Sequence, residues 1–183
     1  MHDPQIRQIL KNELKNQYKD VQDTIFWDEF EVQNGLARID LAVINGSLDG
    51  YEIKSGQDSL ARLVGQMRHY DLTFENLSIV IESVHLNNTI KTVPAHWGVL
   101  EIERDGYLNI VRKGTANTGI TKEAVTSLLR KDEMVRMLLA NNIAHRKTSN
   151  RDYYIKSIAD NFRKETILNY VRSALKDRFA SAS

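Results

Sequence analysis

A chain of 183 residues with 42% hydrophobic and 27% charged side chains belongs to the folded, globular class and is long enough for one domain with an added helical subdomain. It contains no cysteine, which excludes disulfides, cysteine-bound zinc and iron–sulfur clusters, and its net charge of +1 singles out no partner. No apolar run after Met1 suits a signal peptide and none approaches the roughly 20 residues of a membrane span, so a cytoplasmic protein without a membrane partner is expected.

Asp3-Pro4 opens a helix, with Ile6, Ile9, Leu10 and Leu14 at helical spacing to about Tyr18. Thr24 to about Val32 is β-rich. Asn34-Gly35 makes a turn, and Leu36 to Ile44 reads as a second strand. Asn45-Gly46 signals a hairpin into a third strand, Leu48 to Ser55. Asp58 can cap a helix to about Thr73 with Leu60, Leu63, Val64 and Met67 as its apolar stripe. Leu77 to Val84 is a nearly continuous apolar run, as in a strand covered on both faces.

Two shorter strands follow, near Trp97–Ile102 and Tyr107–Val111. Lys113 to Gly119 is a polar connector, and about 121–141, 151–160 and 163–179 read as helices. This divides the chain into an α/β core over 1–113 and a helical C-terminal subdomain over 120–183. Residues 1–120 carry 12 Lys/Arg against 17 Asp/Glu, and residues 121–183 carry 13 against 7. An acidic body with a basic tail suits cations in one place and phosphates in another, although solvated helix faces give the same balance. Arg163, Lys164, Arg172, Lys176 and Arg178 are the tail's candidates for phosphate contacts, and its apolar face equally fits a packing role.

The stretch ARIDLAVINGSLDGYEIKS, residues 37–55, carries the chemistry. Asp40 interrupts an apolar strand between Ile39 and Leu41. Glu52 and Lys54, two apart on the next strand, share a face. Asp40 joins them if the loop is the three residues Asn45-Gly46-Ser47 or a bulge lies near Gly50; a two-residue Asn-Gly loop puts the acids on opposite faces. In the former register their Cα atoms lie roughly 4.5–5.5 Å apart. Facing carboxylates repel unless a cation joins them, and Mg²⁺ does so while keeping waters and substrate oxygens. A neighbouring lysine suits phosphate chemistry. The plainer possibility is an Asp40–Lys54 surface ion pair.

Asp40, then Glu52-Ile53-Lys54 twelve residues on, in an α-β-β-β-α-β order, resembles the PD-(D/E)-x-K nuclease superfamily over roughly residues 3–84, with Ile39 at the namesake proline. The resemblance implies a restriction-endonuclease-like α/β core: a mixed central sheet flanked by helices, here with a C-terminal helical extension. It implies Mg²⁺ or Mn²⁺ held by Asp40, Glu52 and the Ile53 carbonyl, with Lys54 assisting water attack on a phosphodiester. Gln66 and Tyr70 look like the Q-x-x-x-Y motif of the recombination-exonuclease branch, sharing a helix face with Arg62 beside the active site. Glu13, between Leu10 and Leu14, is the position from which the superfamily often adds an acid to the metal; if the apolar stripe is narrow it reaches solvent instead. GYEIKSGQDSLARLVGQ, residues 50–66, and strings in the tail are similar to small bacterial and phage-borne members.

The five histidines have no metal-ligand spacing, and no phosphate-loop or G-x-S-x-G pattern occurs. The reading is a metal-dependent nuclease acting on nucleic acid, DNA by expectation, in restriction-like defence, repair or a mobile element. Two alternatives stand beside it. One is a catalytically inactive nucleic-acid-binding or protein-interaction module on the same fold; the other is a branched-DNA (Holliday junction) resolvase, which would require a homodimer.

Overall fold

The computed structural model describes residues 1–56, 61–144 and 149–182. Helix α1 (Asp3–Gln17) leads into strands β1 (Ile25–Val32), β2 (Ala37–Ile44) and β3 (Leu48–Lys54). Helix α2 (Ala61–Asp71), strand β4 (Asn76–Glu82), helix α3 (Leu86–Thr92) and strands β5 (Gly98–Ile102) and β6 (Leu108–Arg112) follow. Helices α4 (Lys122–Thr126), α5 (Lys131–Ala140), α6 (Arg151–Asn161) and α7 (Lys164–Ala182) end the chain. The predicted elements recur, with two differences. Helix α3 arises where no apolar period announced it, and the helix expected over 121–141 is two, because the chain breaks at Leu128–Arg130. The Asp58 cap lies outside the described residues.

The fold is mixed α/β. One six-stranded sheet runs in the order β1-β2-β3-β4-β5-β6. Strands joined by short loops pair antiparallel (β1/β2, β2/β3, β5/β6), and those joined through α2 and α3 pair parallel (β3/β4, β4/β5). Period-two alternation sorts the central strands onto two covered faces. Leu41, Val43, Tyr51, Ile53 and Val80 pack beneath Ile6, Leu10 and Leu14 of α1. Ala42, Ile44, Ile79 and Ile81 pack on the other face with Leu63 and Met67 of α2.

The alternation breaks at one place. Ile39 and Leu41, two residues apart, bury against opposite faces. In β1, across from them, Glu29 has a left-handed backbone (φ 52°), and Phe26 and Phe30 likewise fall on opposite faces. Ile39 thereby lies over Gly50, where an added Cβ would sit 2.6 Å from Ile39 Cδ1, so that position is held to glycine.

The apolar stripe of α2 is Leu63, Met67 and Tyr70, continued by Phe74; Val64 is exposed, and Leu60 lies outside the described residues. The 63-67-70-74 spacing follows the helical period closely enough to extend the buried face beyond the helix. Beyond Lys113 the helices share the sheet's core. Val125, Met134, Tyr154, Ile158, Ile167, Val171 and Leu175 belong to one apolar cluster with Phe30, Ile44, Phe74 and Trp97. The polar connector is tied in as well, with Asn117 Nδ2 donating to the carbonyls of Asp71 (2.6 Å) and Phe74 (2.8 Å). Two of the tail's basic residues serve the fold: Arg172 pairs with Glu75, and Arg178 with Glu133 at 3.0 Å.

Because helical tail and sheet share this core, Ile167→Ala, which empties a fully buried site, is expected to destabilise the protein by about 2–5 kcal/mol. Denaturation followed by tryptophan fluorescence and by circular dichroism checks this, with both signals shifting together in a single transition.

Candidate active site

The β2–β3 turn decides whether the two acids meet. Asn45 N–H donates to Ser47 O at 3.1 Å, and Asn45 Oδ1 accepts Ser47 N–H at 3.0 Å, closing a three-residue loop. The strands then pair as Ile44↔Leu48, Val43↔Asp49, Ala42↔Gly50 and Leu41↔Tyr51, the register that aims Asp40 at Glu52. The ladder ends there. Asp40 Oδ2 accepts the Ile53 N–H at 2.7 Å, so a side-chain carboxylate fills the place of a strand carbonyl. Asp40, Glu52 and Lys54 line one cavity of about 430 Å³ together with Glu29, Arg38, Arg62 and Gln66.

Glu52 is 2% exposed. Its Oε1 pairs with Lys54 Nζ at 2.7 Å; its Oε2 is enclosed, with the Tyr70 hydroxyl beside the carboxylate. A buried carboxylate is costly to ionise, and either a proton or a cation at its enclosed oxygen offsets that cost. Burial pushes the Glu52 carboxyl up, opposed by the Lys54 ammonium. Burial and then the neighbouring Glu52 charge push Asp40 up to about 7, against the pull of the Ile53 N–H and Lys54.

Among the described residues no three acidic or histidine side chains form a ready metal-ligand cluster. A dication that keeps several waters needs only one or two carboxylates, and Asp40 and Glu52 provide that number. The enclosed Glu52 oxygen fits such an ion.

Gln66 reaches the cavity as the motif implies. Tyr70 does not share its open face. It is fully buried on the stripe side of α2, its ring 6.3 Å from that of Phe74 and 6.2 Å from that of Trp97. Its hydroxyl donates to Arg38 O at 2.6 Å, which makes the burial tolerable, and it also lies within reach of the Glu52 carboxylate. Burial and that carboxylate push the phenol far up. Tyr70 is therefore a support behind the site.

Glu13 is exposed, because α1 buries only the narrow line Ile6, Leu10 and Leu14 and the glutamate falls outside it. It does not line the cavity. Ile53 contributes its N–H to Asp40, and its side chain is buried under α1.

The residue that α1 does supply is Arg7. Its Nη1 donates to Asp40 O at 2.9 Å, and its Nη2 lies 3.3 Å from Asp40 Oδ1, 3.0 Å from Asp3 Oδ1 and 2.6 Å from Glu29 Oε1. The sequence offered one signal for it, an Asp–Arg pair at i,i+4. Which strand that pair would meet depends on helix docking.

The family described as Bacteriophage P4 protein cII matches residues 1–183. The chain belongs to that family. Protein cII of Enterobacteria phage P4 is 30% identical over 164 residues, which are 88% of this chain and 62% of that protein, so the chain spans less than two thirds of this relative. Among solved structures, SPO1766, a protein of unknown function from Silicibacter pomeroyi, has 16% identity and a TM-score of 0.41 over 72% of this chain and 89% of that one. Among the described residues of this family member, no helix is long and apolar enough to cross a membrane.

The folded Asp40 carboxyl keeps its proton to about pH 7, whereas an unfolded aspartate loses it near pH 4. The folded state therefore binds the extra proton between those values, and Asp40's contribution to stability declines as pH rises through that window. Asp40→Asn is expected to abolish this component. Denaturant titrations without metal at about pH 5 and about pH 8 check it, with the wild type losing more stability at the higher pH than the variant does.

Proposed function

We propose that the chain is a metal-dependent phosphodiesterase that cleaves nucleic acid, with DNA the expected substrate. The observation that carries the reading is the meeting of Asp40, Glu52 and Lys54 around one cavity, with the Glu52 carboxylate buried in its wall. Asp40, Glu52 and the Ile53 carbonyl are the groups that would hold Mg²⁺ or Mn²⁺, which when bound acidifies a water and offsets charge on a phosphoryl oxygen. Lys54, at 2.7 Å from Glu52, is placed to orient an attacking water and to stabilise developing phosphate charge. Arg62 and Gln66, on α2 across the cavity, are placed to position the phosphodiester.

Glu29, Glu31, Gly35 and Arg38 also border a second cavity of about 350 Å³, to which Trp27, Arg151 and Arg178 contribute. That cavity sets Arg151 and the Trp27 indole beside the candidate active site, while its Arg38 and Arg178 are paired with Glu29 and Glu133. Membership of a phage protein family supports a phage-related setting.

One observation favours a catalytically inactive binding module. Lys54 pairs with Glu52, and Arg7 with Asp40, so both carboxylates have cationic partners within the chain itself.

The test offers single- and double-stranded DNA and RNA with Mg²⁺ or Mn²⁺ to the wild type, Lys54→Ala and Asp40→Ala. Metal-dependent cleavage is expected, lowered by about 100-fold or more in both variants while Lys54→Ala retains binding. Cleavage that persists in both variants would refute the assignment, and binding without cleavage under every condition would establish the inactive module.

A further inference from the structure

Asp40 has both carboxylate oxygens engaged. Oδ2 belongs to the Ile53 N–H and Oδ1 faces Arg7. A cation that coordinates Asp40 therefore meets a guanidinium already at Oδ1. Arg7 cannot relieve the conflict by losing its proton, since arginine stays charged throughout the accessible pH range.

The surroundings of Arg7 show how the conflict resolves. Its side chain is 16% exposed and is held independently of the Asp40 carboxylate. Asp3 Oδ1 accepts from Nε at 3.3 Å and Nη2 at 3.0 Å, and Glu29 Oε1 lies 2.6 Å from Nη2. Asp28 Oδ1 lies 4.0 Å from Nη1. Glu29, whose backbone is left-handed, also holds Arg38, at 2.8 Å. The 3.3 Å link to Asp40 Oδ1 is longer than the bond from Nη1 to the Asp40 carbonyl. Releasing that carboxylate oxygen leaves the fork on Asp3, Glu29 and the carbonyl, so the exchange needs no rearrangement of α1.

We propose that Arg7 is a positioning residue that serves as the counter-ion of Asp40 in the metal-free protein and yields one carboxylate oxygen when a divalent ion enters. This rests on the metal-centre reading given above. Arg7 gathers Asp3, Glu29 and Asp40 so that the pocket folds without metal, and by its charge it also weakens the metal's hold. The two effects have opposite signs, which separates this role from simple structural support.

Thermal unfolding of the full chain at about pH 8, where Asp40 is ionised, in EDTA and across a Mn²⁺ titration tests it, comparing the wild type with Arg7→Met and Arg7→Lys. Arg7→Met is expected to lower Tm in EDTA, to gain more from Mn²⁺ than the wild type does, and to reach half-saturation at about tenfold lower Mn²⁺, as removal of a close, half-buried charge requires. Arg7→Lys keeps the charge without the fork. It should lose Tm in EDTA yet hold its Mn²⁺ midpoint within about threefold of the wild type. If Arg7→Met is unfolded in EDTA and folds on Mn²⁺ addition, the same conclusion holds in stronger form. A midpoint equal to or weaker than the wild type's, or a variant unfolded in both conditions, overturns the exchange while leaving the metal centre standing. A wild type that does not respond to Mn²⁺ removes the metal centre, and this inference with it.

Discussion

The Asp40 carboxylate joins β2 to β3 at the point where their peptide ladder ends. Up to Leu41↔Tyr51 the strands pair through backbone groups alone. Two residues past Tyr51 the Ile53 N–H is received by a side chain, at 2.7 Å. This satisfies a buried donor that would otherwise be orphaned, and it brings a carboxylate into the interior of a sheet covered on both faces. The break in alternation at Ile39 and Leu41, the left-handed Glu29 opposite and the bare Cα of Gly50 beneath Ile39 are the backbone adjustments that accompany it.

Holding Asp40 there has an electrostatic cost, because burial and the nearby Glu52 both disfavour its ionised form. Cations answer it from two elements. Lys54 lies on Glu52 from within the same strand, and Arg7 reaches Asp40 from α1 on the far side of the fork. The buried Tyr70 braces the same region by bonding to the Arg38 carbonyl, which ties β2 to α2 below the cavity. The polar site and the apolar core are thus one construction, and few residues of the site can change without affecting both.

The helical C-terminal part bears on the same arrangement. Its apolar residues complete the core on the α2 face of the sheet, and Arg151 and Arg178 border a cavity that shares the β1–β2 hairpin with the candidate active site. The basic excess of the tail is partly absorbed by acids of its surroundings, Glu75 for Arg172 and Glu133 for Arg178. A net charge counted along a segment overstates what that segment offers to a polyanion when its cations are paired within the fold.

The sequence by itself determined the element order, the strand–turn–strand that carries the acids and lysine, and the condition under which they face one another, because these follow from short-range periodicity and loop length. It also marked Gln66. It misplaced Tyr70 and could not decide Glu13. A helix pattern places side chains around an axis to within a fraction of a turn, and the rotation that chooses the buried line is set by what the helix docks against. Arg7 lay beyond its reach for the same reason: 33 positions separate it from Asp40. Their meeting depends on how α1 crosses the sheet. Tertiary packing alone decided that contact, the break in alternation at Asp40 and the common core of sheet and tail, since each balances burial and charge between segments remote along the chain.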